Sequence, residues 1–564
     1  MKDIHTNEEL KQYFRFFIAN TDTNHWTWKW YEKLQKWTEI LQKIKTETFN
    51  NEEKSLKECI YSGSNAELKT VDNFLEQYLF KRSNGIASIG QGNLSNNDRE
   101  KIKTLADLEK LIRSILNEKN ILEAEKKITT LFQNANIENN YPAVKYRFLA
   151  ALFPDEMTTI ASQNKFYRLE KALNKKLSVK IEGANPIEKH TWLMEQLSDI
   201  YEVDKQEVNR YHKQIFYWEL YEMLDNELNL KKAVVYYGAP GTGKTYKAKK
   251  EAKKFIDRWA LKTFTKVKNP MIETMQFHPS ISYEDFIEGI RPTKDKELEL
   301  KDGVFKSFCK TVGKIEYQLW KNAEFRKIAQ DKNFEDITVS DIQNIDAIKD
   351  IFPELDKYSG GLTLQDIIEP AFFIIDEINR ADLSRVFGEL MYALEYRGYE
   401  GKIKTQYSYL VEKETDSGVY FWENEQNYFF IPHNVYIIGT MNTIDRSVDS
   451  FDFALRRRFS WEEIEPKYEV IKTELKKYGE NISKSFESLN VAIKKHEFLG
   501  NDYQIGHAYA LNIKNKEFEN VKEAKKFLWR EFIKPLMQEY LRGLGDSKTS
   551  DNLLDEFSEK FGIK

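Results

Sequence analysis

The sequence predicts a multi-domain chain of class α and α/β: a mainly helical N-terminal region, one α/β unit with a mostly parallel sheet, and a helical C-terminal region. Three observations predict it. At Lys232 the character of the chain changes, and AVVYYGAPGTGKTYKAKKEAKKF reads as a short apolar strand, a glycine turn and a lysine-rich helix. Apolar strands then recur at MIETMQF, FFIIDE and NVYIIGTMN with helical stretches between them, the pattern of a parallel sheet. Before this unit, WTWKWYEKLQKWTEILQKI sets Trp30, Leu34, Trp37 and Leu41 at helical spacing, which gives a helix with one apolar face.

Composition agrees with a packed chain. At 564 residues it exceeds one core, and about 100–200 residues per domain gives three or four units. With 41% hydrophobic and 31% charged residues the chain is globular rather than disordered. The net charge of −4 excludes a uniformly basic surface but leaves room for a local basic face. Cys59 and Cys309 lie far apart, so no zinc spacing or disulfide framework is present, which fits a reducing cytoplasm. The start carries no apolar signal core, and no stretch approaches the ~20 apolar residues that cross a bilayer, so no membrane partner is expected.

Domain by domain, residues 1–135 read as a mainly helical unit. It includes a second helical stretch near Val71–Lys81, a polar Gly/Asn loop from Arg82 to Asp98, and helical pattern again to Phe132. A linker from Asn134 to Tyr141 opens an aromatic-rich helical unit or connector, 136–228. The α/β core spans 229–465. A helical unit follows, 466–564, interrupted near Asn501–Ala510, with helical pattern expected from Phe459 onward.

Gly238-Ala239-Pro240-Gly241-Thr242-Gly243-Lys244-Thr245 fits the Walker A pattern between strand and helix, the context that motif requires. Its glycines let backbone N–H groups wrap a phosphate, and the helix that follows, with Tyr246 in its first turn, aims its positive end at the same anion. Lys244 is placed to reach the β- and γ-phosphates and Thr245 to ligate magnesium. A bare glycine-rich turn would lack the flanking strand and helix.

FFIIDEINR supplies the second half of the chemistry. Asp376, at the carboxyl end of its strand, would orient the magnesium shell, and Glu377 would act as general base on the attacking water. Asp-Glu after an apolar strand is common alone; the upstream Lys-Thr makes it specific. In NVYIIGTMNTIDRS the next strand delivers Asn442, whose amide can hold water against the γ-phosphate, with Asp445 and then Arg446 in the same turn. The plain alternative is a turn asparagine. Asn442…Asp445 also mimics the base-reading N-x-x-D of small GTPases, but it follows the strand after Asp-Glu, which puts it near the γ-phosphate instead. FALRRRF sets Arg456, Arg457 and Arg458 between apolar flanks. A solvated charge run is the bland reading; neutralising charge on a transferring phosphoryl group, with Arg457 and Arg458 foremost, is the functional one.

Together these motifs resemble the AAA+ superfamily and, more narrowly, the McrB family. The narrower likeness is carried by GAPGTGKT, QFHPSISYEDFIEGIRP, FFIIDEINRADLSRVFGEL, IIGTMNTIDRSVDSFDFALRRRF and QIGHAYA, over about residues 229–545. NGIASIGQGNLS and FLAALFPDE resemble segments that precede such motors. The resemblance implies an AAA+ core with a helical lid, a homo-hexameric ring, arginines acting between subunits, Mg2+ and GTP (or ATP) as cofactors, and a separate McrC-like nuclease. It also implies that the N-terminal region reads DNA, often with a modified cytosine. No residue of this sequence marks guanine recognition, so ATP stays open. So does the other reading, a MoxR- or dynein-related AAA+ ATPase that remodels a protein.

Three weaker signals remain. Asp295…Glu299-Leu300-Lys301 imitates a nuclease E-x-K, but it sits in RPTKDKELELKDGVF, which reads as a charged hairpin; cleavage is assigned to a partner. Trp26, Trp28, Trp30 and Tyr31 could wall a flipped base, although a tryptophan stripe is usually core. The 82–98 loop reads equally as a phosphate contact or a connector. His507 in QIGHAYA is kept out of the catalytic set.

Overall fold

A computed structural model describes residues 4–20, 26–81, 83–87, 94–139, 141–177, 179–224, 232–292, 294, 297–358, 360–414, 421–444, 453–542 and 547–563. Helices α1 (Ile4–Asn20), α2 (Trp26–Asn50), α3 (Pro142–Leu152) and α4 (Arg210–Leu224) frame the N-terminal region. One hydrophobic cluster joins it from Leu10 to Leu224, across the stretch read as a linker. In α2 the apolar face is deeper than the tryptophans alone suggest: Leu34, Leu41 and Ile44 are fully buried, while Trp30 and Trp37 lie at its half-buried margin.

Arg147 of α3 is buried and donates to Leu79 O at 3.0 Å and Tyr78 O at 3.3 Å, closing the end of the helical stretch that leads into the Gly/Asn loop. Burial, and secondarily Arg99, lowers its pKa to about 10. The stretch Glu202–Glu207, expected to be helical, instead forms a two-stranded antiparallel ribbon whose turn residues Asp204 and Lys205 adopt positive φ.

The α/β unit is a five-stranded, all-parallel sheet. Its strands are β1 (Ala233–Gly238), β2 (Ile272–Gln276), β3 (Ala371–Asp376), β4 (Val435–Asn442) and β5 (Ser460–Glu463), in the order β5-β1-β4-β3-β2. The run between β1 and β2 forms α5 (Lys244–Lys262).

Successive residues of the central strands enter opposite layers. Val235, Phe373, Ile375, Val435 and Ile437 join one core, and Val234, Tyr236, Phe372, Ile374, Tyr436 and Ile438 join the other. Burial on both faces explains the continuous apolar runs in the sequence. Each such side chain contributes about 1.5–3 kcal/mol.

The fifth strand corrects the expectation of helix from Phe459 onward. SWEE carries no apolar run because β5 is an edge strand, paired only through β1 and half exposed. The charged stretch before residue 303 is a hairpin, Glu288–Pro292 with Leu298–Asp302, as its sequence suggests. Glu299 and Lys301 lie on its exposed strand as an ion pair at 3.8 Å, and Asp295 lies outside the described residues.

The N-terminal body rests on α5. Tyr13 OH donates to Lys262 O at 3.0 Å, and Glu222 pairs with Arg258 in a buried contact. A separate cluster from Ile471 to Phe561, built around α6 (Gly479–Lys495), forms the C-terminal helical unit. Cys59 and Cys309 are buried free thiols. Among the described residues no helix is long and apolar enough to cross a membrane.

Candidate functional site

The carboxyl ends of β1, β4 and β3 lie side by side, where open α/β sheets bind ligands. Register sets Asn442 beside Gly238 and Gly439 beside Ile375, so Asp376 ends level with Thr440.

The turn after β1 takes φ values only glycine holds without strain: +143° at Gly238, +72° at Gly241 and +79° at Gly243. Ala239 and Thr242 are buried, and Thr242 Oγ1 donates to Ala239 O at 2.9 Å. Helix α5 starts at Lys244, so its first-turn amides face the turn. The Lys244 ammonium is buried against Gly238 O (3.1 Å) and Ala239 O (2.8 Å). A cradle with no room for a Cβ at Gly238 or Gly241, a helix N-terminus and one buried ammonium fit a polyphosphate. Tyr246 carries its ring mostly to solvent.

Thr245 Oγ1 donates to Asp376 Oδ1 at 2.7 Å, and Thr440 Oγ1 donates to the same oxygen. A hydroxyl and a carboxylate so joined are the donor set a magnesium ion takes. Glu377 sits at φ +54°, a conformation that costs a side chain energy and is held here by its neighbours. Its N–H donates to Thr440 Oγ1 at 3.3 Å, and its Oε1 accepts from Asn442 Nδ2 at 2.7 Å. Arg380 Nε lies 3.7 Å from Glu377 Oε2. The sheet thus brings Thr245, Asp376, Glu377 and Asn442 into one connected group.

The three arginines diverge. Arg456 lies over the Trp461 ring, whereas Arg457 and Arg458 pair with Glu395 Oε2 at 3.2 and 3.4 Å. Arg457 keeps 67% of its side chain exposed and Arg458 only 13%. Asp445 and Arg446 lie outside the described residues.

The C-terminal unit touches the phosphate turn directly. Gly506 N donates to Pro240 O at 3.0 Å and Ala508 N to Gly241 O at 2.9 Å. The approach is so close that a Cβ on Gly506 would fall 2.0 Å from the Gly241 carbonyl carbon, and one on Gly241 would meet the Tyr509 ring at 2.7 Å. His507 accepts from Lys467 N at 3.2 Å, and its Nε2 lies 3.4 Å from where a Gly243 Cβ would stand. Burial, then the Lys467 charge, pushes the His507 pKa down, which favours the neutral ring.

Sequence reading singled out neither Thr440, Glu395 nor Gly506 as site residues. The available signals were a hydroxyl at the end of an apolar strand for Thr440 and a lone glycine in a helical region for Gly506.

Comparison with known proteins follows this division. Residues 233–459 match the family model "AAA domain (dynein-related subfamily)". Residues 481–547 match "McrB, alpha-helical lid domain". Over these residues the chain is similar to the McrB family. It is 32% identical over 300 residues to the "Type IV methyl-directed restriction enzyme EcoKMcrB subunit" of Escherichia coli (strain K12), covering 51% of this chain and 49% of the relative. It is 26% identical over 248 residues to the "Type II restriction enzyme BsuMI component YdiS" of Bacillus subtilis (strain 168), covering 41% of this chain and 56% of that protein. The matches span about half the length of these curated relatives. The first match places the α/β unit among AAA domains.

Proposed function

We propose that this chain hydrolyses a nucleoside triphosphate, GTP in preference to ATP, as the motor of a restriction system directed at modified or phage DNA. The observation that carries the reading is the hydrogen bonding of Gly506 and Ala508 to the phosphate turn, made by a helical unit that matches the McrB lid.

The turn from Gly238 to Thr245 wraps the phosphates with backbone N–H groups, and Lys244 leaves its loop carbonyls to meet the β- and γ-oxygens. Thr245 and Asp376 would hold a magnesium ion, which would neutralise charge on the phosphates. Glu377 Oε1 takes the proton of the attacking water, and Asn442 orients both carboxylate and water. Arg457 and Arg458 reach a neighbouring subunit's site in a homo-hexamer, and Asp445 completes the catalytic set. His507 and Tyr509 close the lid side of the cradle and exclude water.

The domain division we propose is 1–135 and 136–228 for an N-terminal DNA-reading body, 229–465 for the motor and 466–564 for its lid. Cleavage belongs to a separate McrC-like nuclease, and the setting is the cytoplasm. The relatives' printed association with restriction supports this reading. The dynein-related match of 233–459 favours the second one, an ATPase that remodels a protein.

Binding of full-length protein carrying Lys244→Ala to modified and unmodified duplexes, across a salt series, separates the two. Affinity that falls steeply with salt supports the restriction reading. No binding to any duplex transfers the assignment to protein remodelling.

A further inference from the structure

Helix α5 has its two ends in different parts of the molecule. Its first residues, Lys244 and Thr245, belong to the phosphate cradle. Its last turn enters the N-terminal body: Leu261 is a buried member of that body's hydrophobic cluster, and Phe264, just past the helix, packs against the same cluster. The 19 residues of α5 make a rod of about 28 Å.

The N-terminal body grips the far end of this rod by apolar and charged contacts. The Phe264 ring meets Tyr13 at 4.4 Å and Phe16 at 5.4 Å, both from α1. Tyr13 OH donates to Lys262 O at 3.0 Å. Phe264 sits at φ +52°, a conformation that a bulky residue keeps only where its surroundings enforce it. One turn before Lys262, Arg258 is ion-paired with Glu222 of α4, and neither side chain is more than 10% exposed. Lys254 lies one turn further back. Burial lowers its pKa, as does Arg258, against the raising pull of Glu222, Glu251 and Glu219. An acidic face of α4 thus meets a basic face of α5.

The aromatic stripe of α2 is engaged within the N-terminal body itself. Trp30 Nε1 donates to Gly85 O at 2.9 Å, and Tyr31 accepts from Asn209 Nδ2 at 2.8 Å. The Trp26 and Trp28 side chains lie outside the described residues.

Strand β3 packs against the same helix and is tied to it near both ends. Phe255 of α5 stands edge-on to Phe372 of β3 at 5.5 Å. At the cradle Thr245 Oγ1 donates to Asp376 Oδ1 at 2.7 Å. At the other end Lys262 pairs at 2.7 Å with Asp366, in the short helix Leu364–Ile367 that precedes β3. Two rails braced at both ends move as a unit rather than bend. A polyphosphate in the cradle would draw Lys244 from Gly238 O and Ala239 O, so the first turn of α5 would exchange its polar partners.

We propose that α5 couples nucleotide binding to the seating of the N-terminal body. Nucleotide in the cradle tightens the seat, and loosening the seat lowers nucleotide affinity by the same factor, as linkage requires. The coupling rests on the cradle binding a nucleotide, and not on hydrolysis or on any ligand of the N-terminal body.

The test measures backbone hydrogen exchange of the full chain with Mg2+, with and without GDP or ADP. Exchange in α1 and α4 is expected to slow by roughly fivefold or more when nucleotide binds. Nucleotide affinity is then titrated in two dock variants. Tyr13→Phe deletes one hydroxyl, and Glu222→Gln leaves the Arg258 charge buried without its carboxylate. Affinity is expected to fall by roughly threefold in the first and roughly fivefold or more in the second. Ile128→Val, in the helix Ile121–Asn134 that packs on α3, is expected to leave affinity unchanged. A parent chain that binds neither nucleotide overturns the reading of the cradle and the coupling with it. Nucleotide binding with exchange in α1 and α4 unchanged, or with parental affinity in both dock variants, overturns the coupling and leaves the cradle standing. An equal loss of affinity in Ile128→Val overturns it as well, since general destabilisation would then suffice.

Discussion

Asn442 donates its side-chain amide to Glu377 Oε1 at 2.7 Å, joining the ends of β4 and β3 across the mouth of the phosphate turn. The contact pins one carboxylate oxygen of a residue whose backbone is itself held at positive φ. As the proposed general base, Glu377 so positioned needs no search before taking a proton. Asn442→Ala is expected to leave nucleotide affinity within a few-fold and to slow single-turnover phosphate release by roughly a hundredfold. An unchanged rate would remove Asn442 from the reaction.

Thr440 acts one step further back. Its hydroxyl donates to the Asp376 oxygen that also accepts from Thr245, and it receives the Glu377 N–H. Thr440→Val keeps the shape and deletes the hydroxyl. The expected outcome is a roughly tenfold to hundredfold rise in the Mg2+ concentration that half-activates turnover. A midpoint equal to that of the parent would show that Asp376 orients without it.

The lid contact admits no added carbon. Gly506→Ala places a methyl 2.0 Å from the Gly241 carbonyl carbon, so the turn or the lid must shift. Nucleotide affinity measured by titration should fall by roughly tenfold or more in a chain that still folds. Equal affinity would mean that the lid does not shape the cradle.

How much of this was legible in the sequence follows from the range of each interaction. The phosphate turn is local: strand, glycines and helix are contiguous, and their chemistry reads directly from Gly238 to Thr245. β1, β3 and β4 announced themselves because both their faces are buried. β5 did not, because an edge strand with SWEE pairs through its backbone and needs no apolar run. Glu395 and Gly506 were invisible as site residues, since nothing local ties Glu395 to Arg457 or Gly506 to Gly241.

The unequal exposure of the arginine pair makes a further expectation. Both touch Glu395, but Arg457 projects to solvent and Arg458 is mostly covered. Arg457→Ala chains, inactive alone, should recover turnover when mixed with Lys244→Ala chains, because one supplies an intact cradle and the other an intact arginine. Assayed over a range of ratios, activity should pass through a maximum. A flat line at every ratio would assign Arg457 a role within its own subunit.

The central claim is hydrolysis by the group around Glu377. Its most direct test is steady-state phosphate release from GTP and from ATP by the full chain, with and without Mg2+, beside Glu377→Gln. Mg2+-dependent release is expected, faster with GTP, together with a Glu377→Gln chain that binds nucleotide but releases phosphate at least about a hundredfold more slowly. Equal release by parent and Glu377→Gln, or none from either nucleotide under any condition, would contradict it.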